Sequence, residues 1–289
     1  MKCIYWNIRG IANTPTRLAL KRTLLLQKPD ILLIVEPMMN FDRFPSSWLH
    51  RLGFKLFSVN NRPSHLPNLW CICSLSLNLY IIDTIDQYVS FTLTVNNLTF
   101  GIAVIYASTN YLTRRNLWDN LSHMLLNHQI PWCFLGDFNT ILGAHEHRGA
   151  LTPTRIPMED FVNWSETNQL IHLPTKGSIY TWSNRRGENA YTERKLDRSI
   201  CNQSWLDMCA SVSCLTLVRH RSDHSPLLLD FNLTRLSFGS QFKFLKMWSL
   251  HEDCSNLVEN SWNTAFFWMP YVHPLSKAEA SQEKSESFE

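Results

Sequence analysis

The feature that most constrains the fold is a series of short apolar runs that alternate with amphipathic, helix-forming segments. Apolar runs of five to eight residues, bounded by turn residues, are typical of buried strands. Their alternation with helices predicts an α/β fold. The predicted strands include residues 2–8, 30–36, three strands within 79–107, 131–139, 178–184, 211–220 and 225–232. The predicted helices include residues 17–27, 48–54, 114–128 and 158–170.

Two of these segments carry more detailed predictions. In the helix at 17–27, we expect Leu18, Leu24 and Leu25 to face a core. Within 79–107, the pair Asn96-Asn97 is the clearest turn between strands.

Composition agrees with a folded, globular chain. Of the 289 residues, 45% are hydrophobic and 18% are charged, which excludes a disordered chain. The net charge of +3 is too small to indicate a nucleic-acid partner by itself. Strand patterns stop near residue 232, so we expect one compact domain over 1–232. An extension over 233–262 and a disordered tail over 263–289 are then expected to follow.

The sequence also bears on the compartment. No apolar stretch approaches the roughly 20 residues of a membrane-spanning helix, and the first residues do not match a signal peptide. The eight cysteines form no paired CxxC motifs, so we expect buried, reduced thiols. These features predict an intracellular protein without membrane contact.

Several of the apolar runs end in a residue that can bind a metal ion or a phosphate group. They end at Asn7, Glu36, Tyr106 and Asp137–Asn139, and a further polar group, Ser222–His224, precedes the last predicted strand. Ligands collect at strand ends in α/β sheets, and carboxylate and amide oxygens suit Mg²⁺ or Mn²⁺. The set therefore predicts a metal or phosphate site.

Each of these elements has a structural alternative when it is taken alone. The strand before Glu36 can simply end in solvent, and Tyr106 can be a packed aromatic residue. Asp137 and Asn139 can form an Asx turn. The sequence His145-Glu146-His147 matches neither HExxH nor a zinc finger, so we expect no metal there.

The order of the motifs resembles the endonuclease/exonuclease/phosphatase superfamily, which includes AP endonucleases, DNase I and inositol polyphosphate 5-phosphatases. The segments HEHRG, YTWSN, TERKLDR and RHRSDHSP are most similar to the endonuclease domain of plant LINE-type (non-LTR) retrotransposons. The resemblance covers about residues 1–262, and FKFLKMW (242–248) resembles the linker to a reverse transcriptase, which is absent here. It implies a four-layer, two-sheet α/β sandwich of the DNase I-like or AP endonuclease type.

The resemblance also implies metal-assisted hydrolysis of a phosphoester. Glu36 corresponds to the principal ligand of Mg²⁺ (or Mn²⁺), with Asn7 and Asp223 in or near the same shell. Asp137 corresponds to the residue that activates the attacking water, and Asn139 to one that orients the phosphate or that water.

Three further residues have implied roles at the phosphate. His224 corresponds to the residue that hydrogen-bonds the phosphate as charge builds, and Asp197 to the residue that orients its imidazole. Tyr106 resembles the tyrosine that contacts the scissile phosphate or the leaving oxygen.

The resemblance implies DNA as the substrate, nicked on one strand, and therefore a nuclear location. We expect a set of basic residues to contact phosphates, with solvated surface charge as the alternative. This set is Arg9, Arg185, Arg186, Arg194 and Arg198. Arg9 stands where AP endonucleases usually carry an aspartate, and it either binds phosphate or weakens metal binding.

Two other functions stay open on the sequence. One is a phosphatase or phosphodiesterase that acts on a small phosphoester. The other is a non-catalytic remnant of a truncated retroelement. Trp182 and Tyr180 are candidates for stacking on DNA, although a place in the core is the stronger expectation.

Overall fold

The computed structural model describes residues 1–187, 190–233 and 252–263. The chain divides into two units, Met1–Arg235 and Leu236–Glu289. In the second unit, the described part is one helix, α6 (Glu252–Asn263). Most of the predicted extension over 233–262, and all of the predicted tail except Asn263, lie outside the described residues.

The first unit contains two large sheets and one small sheet. The order of the seven-stranded sheet is β11 (Thr175–Lys176), β15 (Cys209–Thr216), β16 (Leu227–Leu233), β1 (Lys2–Asn7), β2 (Ile31–Val35), β4 (Leu69–Ser74), β3 (Phe54–Val59). The order of the six-stranded sheet is β10 (Ile171–His172), β14 (Asp197–Cys201), β8 (Trp132–Asp137), β7 (Leu98–Tyr106), β6 (Tyr88–Val95), β5 (Tyr80–Thr84). The small sheet has the order β12 (Trp182–Ser183), β13 (Glu193–Arg194), β9 (His147–Arg148).

Helices cover the outer faces of the two large sheets. The α-helices of this unit are α1 (Thr14–Gln27), α2 (Ser46–Arg51), α3 (Tyr111–Asn127), α4 (Arg155–Thr167) and α5 (Gln203–Asp207). Short 3₁₀ helices occupy Phe41–Arg43 and Ala144–Glu146. No helix within the described ranges has the length and apolar character to cross a membrane.

Three hydrophobic cores account for the layers. The central core lies between the two large sheets and includes Leu33, Leu135 and Leu229. A second core joins α3 and α4 to the six-stranded sheet through Trp118 and Trp164. A third joins α1 and α2 to the seven-stranded sheet. The predicted four-layer, two-sheet α/β sandwich is therefore confirmed.

The detailed predictions for the first helix were partly wrong. Leu24 is buried as expected, but Leu18 and Leu25 are 61% and 57% exposed. The helix begins at Thr14, because the Asn13 side chain caps it by accepting the Thr16 N–H at 2.8 Å. Its inward face then consists of residues 16, 20, 23 and 24, and the other two leucines fall outside that face.

The turn prediction was correct, and one strand prediction was too long. Asn96 and Asn97 both adopt positive φ (53° and 65°) between β6 and β7, as a tight two-residue hairpin requires. The predicted strand at 178–184 forms strand only over Trp182–Ser183. All eight cysteines are free thiols.

His172 is a partly buried residue whose two ring nitrogens are shielded from solvent, an environment that disfavours charge. Its ring packs edge-on against Phe161, with 5.5 Å between ring centroids, and neither ring nitrogen has a hydrogen-bond partner in the described structure. Burial, and then the positive charge of Arg198, lower the pKa of His172 to about 4. The unfolded chain takes up this proton near pH 6.5, so acid destabilises the folded state as the pH falls from 6.5 towards 4.

We therefore expect His172→Phe to reduce the acid sensitivity of the fold. Between pH 7 and pH 5 the wild type should lose about 2 kcal/mol more free energy of unfolding than the variant. Urea unfolding at the two pH values measures this difference. His123→Phe, which removes an exposed imidazole from α3, is the matched control and should behave like the wild type. Equal losses in wild type and His172→Phe would contradict the prediction.

Candidate active site

The site lies where several strands of both large sheets end. Successive side chains of a strand point to opposite faces. On β1, β7 and β8, the last side chain on the face towards the central core is a site residue. Thus Tyr5 is followed by Asn7 on β1, and Leu135 by Asp137 on β8. Tyr106 ends β7 and pairs in register with Asp137. The fold therefore brings polar groups together at one edge of an apolar interior.

A glycine allows this close packing. Gly136 pairs with Ile105 of the neighbouring parallel strand, and a Cβ atom at this position would lie 2.1 Å from the Ile105 carbonyl oxygen. Only a residue without a side chain fits there. The glycine of the GDFN motif thus allows β8 to run beside β7 and deliver Asp137 to the site.

His224 lies between two buried carboxylates. Its Nδ1 lies 2.9 Å from Asp197 Oδ2 and 3.2 Å from Oδ1, and its Nε2 lies 3.8 Å from Asp137 Oδ2. All three residues are buried. Asp197 is positioned by its own strand pairing with Asp137 and by Thr181, whose hydroxyl accepts the backbone N–H of Asp197 at 2.9 Å.

This arrangement favours a charged imidazole next to a carboxyl group that retains its proton more readily than usual. Burial alone would lower the pKa of His224, but attraction by Asp197 and then Asp137 outweighs it and raises the pKa to about 9. Burial, followed by repulsion from Asp197, raises the pKa of Asp137, while His224 opposes that shift. Both His224 and Asp137 therefore bind a proton more strongly than the same groups do in water.

Glu36 is the centre of a second cluster. Its Oε1 accepts the Tyr106 hydroxyl at 2.5 Å and the Asn7 amide at 3.2 Å, while its Oε2 lies 3.3 Å from Arg9 Nε. Glu36 adopts a left-handed backbone conformation with φ of 50°. Burial and the Glu36 charge raise the pKa of Tyr106, so its hydroxyl stays a donor.

Asp223 adjoins this cluster from the loop before β16. Its Oδ2 accepts from Arg9 Nη1 at 2.6 Å and from the Trp182 indole at 2.9 Å. Burial would raise the pKa of Asp223, but His224 and Arg9 outweigh burial and lower it. Asp223 is therefore a carboxylate at neutral pH.

A hard divalent cation fits the Glu36 cluster. Asn7 is 1% exposed, and its Oδ1 has no hydrogen-bond partner among the described residues, although its amide nitrogen contacts Glu36. An unpaired buried oxygen on a side chain that also contacts the Glu36 carboxylate is the kind of donor that Mg²⁺ or Mn²⁺ takes. Asp137, Asp197 and His224 also bring ligand atoms within 4.8 Å of one another. There, however, Asp197 and the imidazole already bind each other.

Several contacts around the site were not anticipated from the sequence. The Ser222 hydroxyl donates to the Asn7 carbonyl at 2.5 Å and accepts the His224 N–H at 3.0 Å, which ties β1 to the loop before β16. Trp182, considered for stacking or core packing, instead donates to Asp223. The RSDHSP motif contains Ser222 and could have indicated its place at the site. For Thr181 and Trp182, the sequence offered only their position in the TWSN segment.

Asn139 lies in the loop after β8 and forms the Asx turn with Asp137 that the sequence left open as an alternative. Its backbone N–H donates to Asp137 Oδ1 at 2.9 Å, which is an Asx turn, and its own φ is 49°. Its side-chain amide donates to the Ala107 carbonyl at 2.7 Å. In this structure Asn139 braces the loops that follow β7 and β8.

The predicted phosphate-binding arginines occupy very different environments. Arg186 is exposed, Arg185 donates to the carbonyls of His220 and Arg221, and half-buried Arg194 donates to His147 Nδ1 at 3.2 Å. Arg198 is 1% exposed, which does not fit a role at a DNA surface.

The burial of Arg198 has a clear partner. Its guanidinium donates to both oxygens of Glu146, at 3.1 and 2.6 Å, and lies over the Phe161 ring. Glu146 is the acid of the His145-Glu146-His147 sequence, so this carboxylate has a structural partner inside the protein.

The two-sheet sandwich with this site at its edge is the DNase I-like fold, which AP endonucleases share. A profile of the endonuclease/exonuclease/phosphatase family matches residues 4–224, and the chain belongs to that family. No curated protein sequence matches the chain significantly.

Solved structures with the same fold include three nucleases. The endonuclease domain of TRAS1, a telomere-specific non-LTR retrotransposon, is 14% identical with a TM-score of 0.61, covering 81% of this chain and 99% of that domain. An AP endonuclease from Archaeoglobus fulgidus is 16% identical, with a TM-score of 0.61 and coverage of 81% and 100%. The 3′-5′ exonuclease NExo from Neisseria meningitidis is 18% identical, with a TM-score of 0.60 and coverage of 80% and 100%.

Proposed function

We propose that this protein is a divalent-metal-dependent phosphodiester hydrolase, a retrotransposon-derived endonuclease that nicks one strand of DNA. The observation that carries the proposal is that two clusters of polar side chains meet at one edge of the two-sheet sandwich. One cluster holds a charged imidazole between buried carboxylates, and the other presents oxygen ligands around Glu36. Together they supply the groups that phosphoester hydrolysis requires.

The residues divide the work by chemistry. His224, held by Asp197 and kept protonated, donates a hydrogen bond to a phosphate oxygen as negative charge builds there. Asp137, beside the imidazole, accepts the proton of the attacking water. Tyr106 donates a hydrogen bond to a phosphate oxygen or to the leaving oxygen. Its hydroxyl becomes free for this contact when Glu36 binds the metal ion.

Glu36, Asn7 and Asp223 are the proposed ligands of the metal. A bound Mg²⁺ or Mn²⁺ stabilises the negative charge that develops during phosphoester cleavage. The carboxylates of Glu36 and Asp223 and the unpaired Asn7 Oδ1 are the oxygen donors that would hold it. Asn139 supports the site through its contact with the Ala107 carbonyl.

DNA is the proposed substrate, and the nucleus is therefore the proposed location. The proposal is supported by the retrotransposon-type motifs and by the nuclease activities named for TRAS1 and the Archaeoglobus protein. Arg186 and Arg194 are candidates for phosphate contacts outside the cleaved bond. The retrotransposon motifs favour DNA over small phosphoesters, which are the second candidate substrate.

Nicking of supercoiled plasmid by the full chain tests this proposal. With Mg²⁺ we expect open circles to accumulate, and with EDTA the plasmid should stay supercoiled. His224→Gln protein, purified in parallel, controls for contaminating nuclease. A folded protein that leaves the plasmid intact would contradict the endonuclease proposal. Hydrolysis of bis(p-nitrophenyl) phosphate would then separate a small-molecule phosphodiesterase from an inactive remnant.

A further inference from the structure

The guanidinium of Arg9 bridges the two carboxylates that the proposed function assigns to the metal. Its Nε lies 3.3 Å from Glu36 Oε2, and its Nη1 lies 2.6 Å from Asp223 Oδ2. Glu36 follows β2 and Asp223 lies in the loop before β16, nearly 190 residues away in sequence. A single positive side chain thus pairs with both and offsets part of their combined negative charge.

The backbone holds Arg9 in this place. The N–H groups on either side of it donate across to the next strand end, Ile8 to the Val35 carbonyl and Gly10 to the Glu36 carbonyl, both at 2.8 Å. Arg9 itself has a left-handed φ of 47°. Because its Cα is pinned beside Glu36, the guanidinium reaches both carboxylates without depending on a mobile loop.

We infer that Arg9 is a built-in competitor of the divalent cation at the Glu36–Asp223 pair, an inference that rests on the proposed function. A cation held by Glu36 Oε2 and Asp223 Oδ2 would need the oxygens that the guanidinium now occupies. Metal entry therefore requires that the guanidinium leave. The Arg9 side chain is 49% exposed, so it can move into solvent or toward a bound phosphate.

The buried oxygen of Asn7 separates this inference from a purely structural salt bridge. Asn7 Oδ1 has no hydrogen-bond partner among the described residues, while the amide nitrogen of the same side chain contacts Oε1 of the Glu36 carboxylate that Arg9 also contacts. The Arg9 bridge thus leaves this buried oxygen of the proposed ligand set unpaired. The arrangement is that of a cation site in which a singly charged guanidinium occupies the place of a divalent metal ion.

The consequence is a weakened metal affinity. Charge-assisted hydrogen bonds to two carboxylates must be broken before the metal gains its ligands. Removing the guanidinium should therefore tighten metal binding, by about tenfold or more. It should also lower the melting temperature in EDTA, because Glu36 and Asp223 then repel each other without compensation.

Direct titration of the full chain with Mn²⁺, with free Mn²⁺ measured by electron paramagnetic resonance, tests the inference without any substrate. We expect Arg9→Met to bind at least about tenfold more tightly than the wild type and Arg9→Lys, which keeps the charge, to stay nearer the wild type. Arg115→Met is the matched control, because it removes an exposed arginine from an ion pair with Asp160 on the outer helices. Its affinity should equal that of the wild type.

The possible outcomes separate the inference from the function on which it rests. Equal or weaker Mn²⁺ binding by a folded Arg9→Met protein would overturn the inference, while Mg²⁺-dependent nicking would still support the proposed function. Failure of both wild type and Arg9→Met to bind Mn²⁺ would overturn both the inference and the metal site. Tighter binding that is lost again in Arg9→Met/Glu36→Gln would support the inference and place the metal at Glu36.

Discussion

Replacing His224 with glutamine is expected to slow DNA nicking by about 10³-fold, since the variant lacks the charged donor. Glutamine retains a hydrogen-bonding amide but has no positive charge to stabilise the phosphate. The rate of conversion of supercoiled plasmid to open circles, at saturating Mg²⁺, measures the loss. A variant with a wild-type melting temperature and a wild-type rate would contradict the assigned role.

The role of Asp197 can be separated from that of His224 by a double-mutant cycle. Asp197 contacts the imidazole and is buried behind it, so it is a positioning residue. Asp197→Asn should produce a smaller loss than His224→Gln, and the double variant should be no slower than His224→Gln alone. Multiplicative losses would show that Asp197 acts independently. Asp160→Asn, on α4, is the matched control for removal of a carboxylate.

Replacing Arg198 with methionine is expected to lower the free energy of unfolding by about 3–5 kcal/mol. The substitution keeps an unbranched, apolar side chain over Phe161 but leaves the buried Glu146 carboxylate without its main partner. Burial would raise the pKa of Glu146, but the charge and hydrogen bond of Arg198, the Leu142 N–H and Lys195 together outweigh burial and lower it, so Glu146 is charged at neutral pH. The remaining cation, Lys195, lies 3.8 Å from Glu146 Oε1 and compensates only in part.

Urea unfolding of three variants checks this prediction. Arg198→Met should be the least stable, and Arg198→Met/Glu146→Leu should recover much of the loss, because no unpaired charge then stays buried. Arg155→Met, which breaks an exposed pair with Glu159, should change stability by less than about 1 kcal/mol. A double variant as unstable as Arg198→Met would show that packing, and not the buried charge, causes the loss.

Much of the fold was predictable because its signals are local. The apolar run before Glu36 and the Asn96-Asn97 turn each identify an element within a few residues, and the alternation of strands and helices predicts the class. The first helix shows the limit of this reasoning. Leucine is a good helix former on either face, so Leu18 and Leu25 carried no reliable information about which face is buried.

The candidate site was predictable in part because strand ends are visible in the sequence. The sequence placed Asn7, Tyr106 and Asp137 at the ends of apolar runs. Strand pairing brings Tyr106 beside Asp137, and the packing of the two large sheets brings in Asn7 from β1. The sequence could not predict the partners of the arginines, because the acid that a guanidinium contacts in the folded protein can lie anywhere along the chain. Arg198 pairs with Glu146, 52 positions away, and Arg9 with Asp223, 214 positions away.

The sequence by itself determined the order of strands and helices, the family resemblance and the set of polar residues at strand ends. These properties depend on local periodicity and on short motifs. The pairing of Asp197 with His224 was already implied by the resemblance. Only the tertiary structure decided that Asp137 lies beside the other ring nitrogen of His224, that Arg198 lies inside, and that Arg9 bridges Glu36 and Asp223. The physical reason is that burial and charge pairing depend on which distant segments meet, and those contacts set both the pKa values and the available ligands.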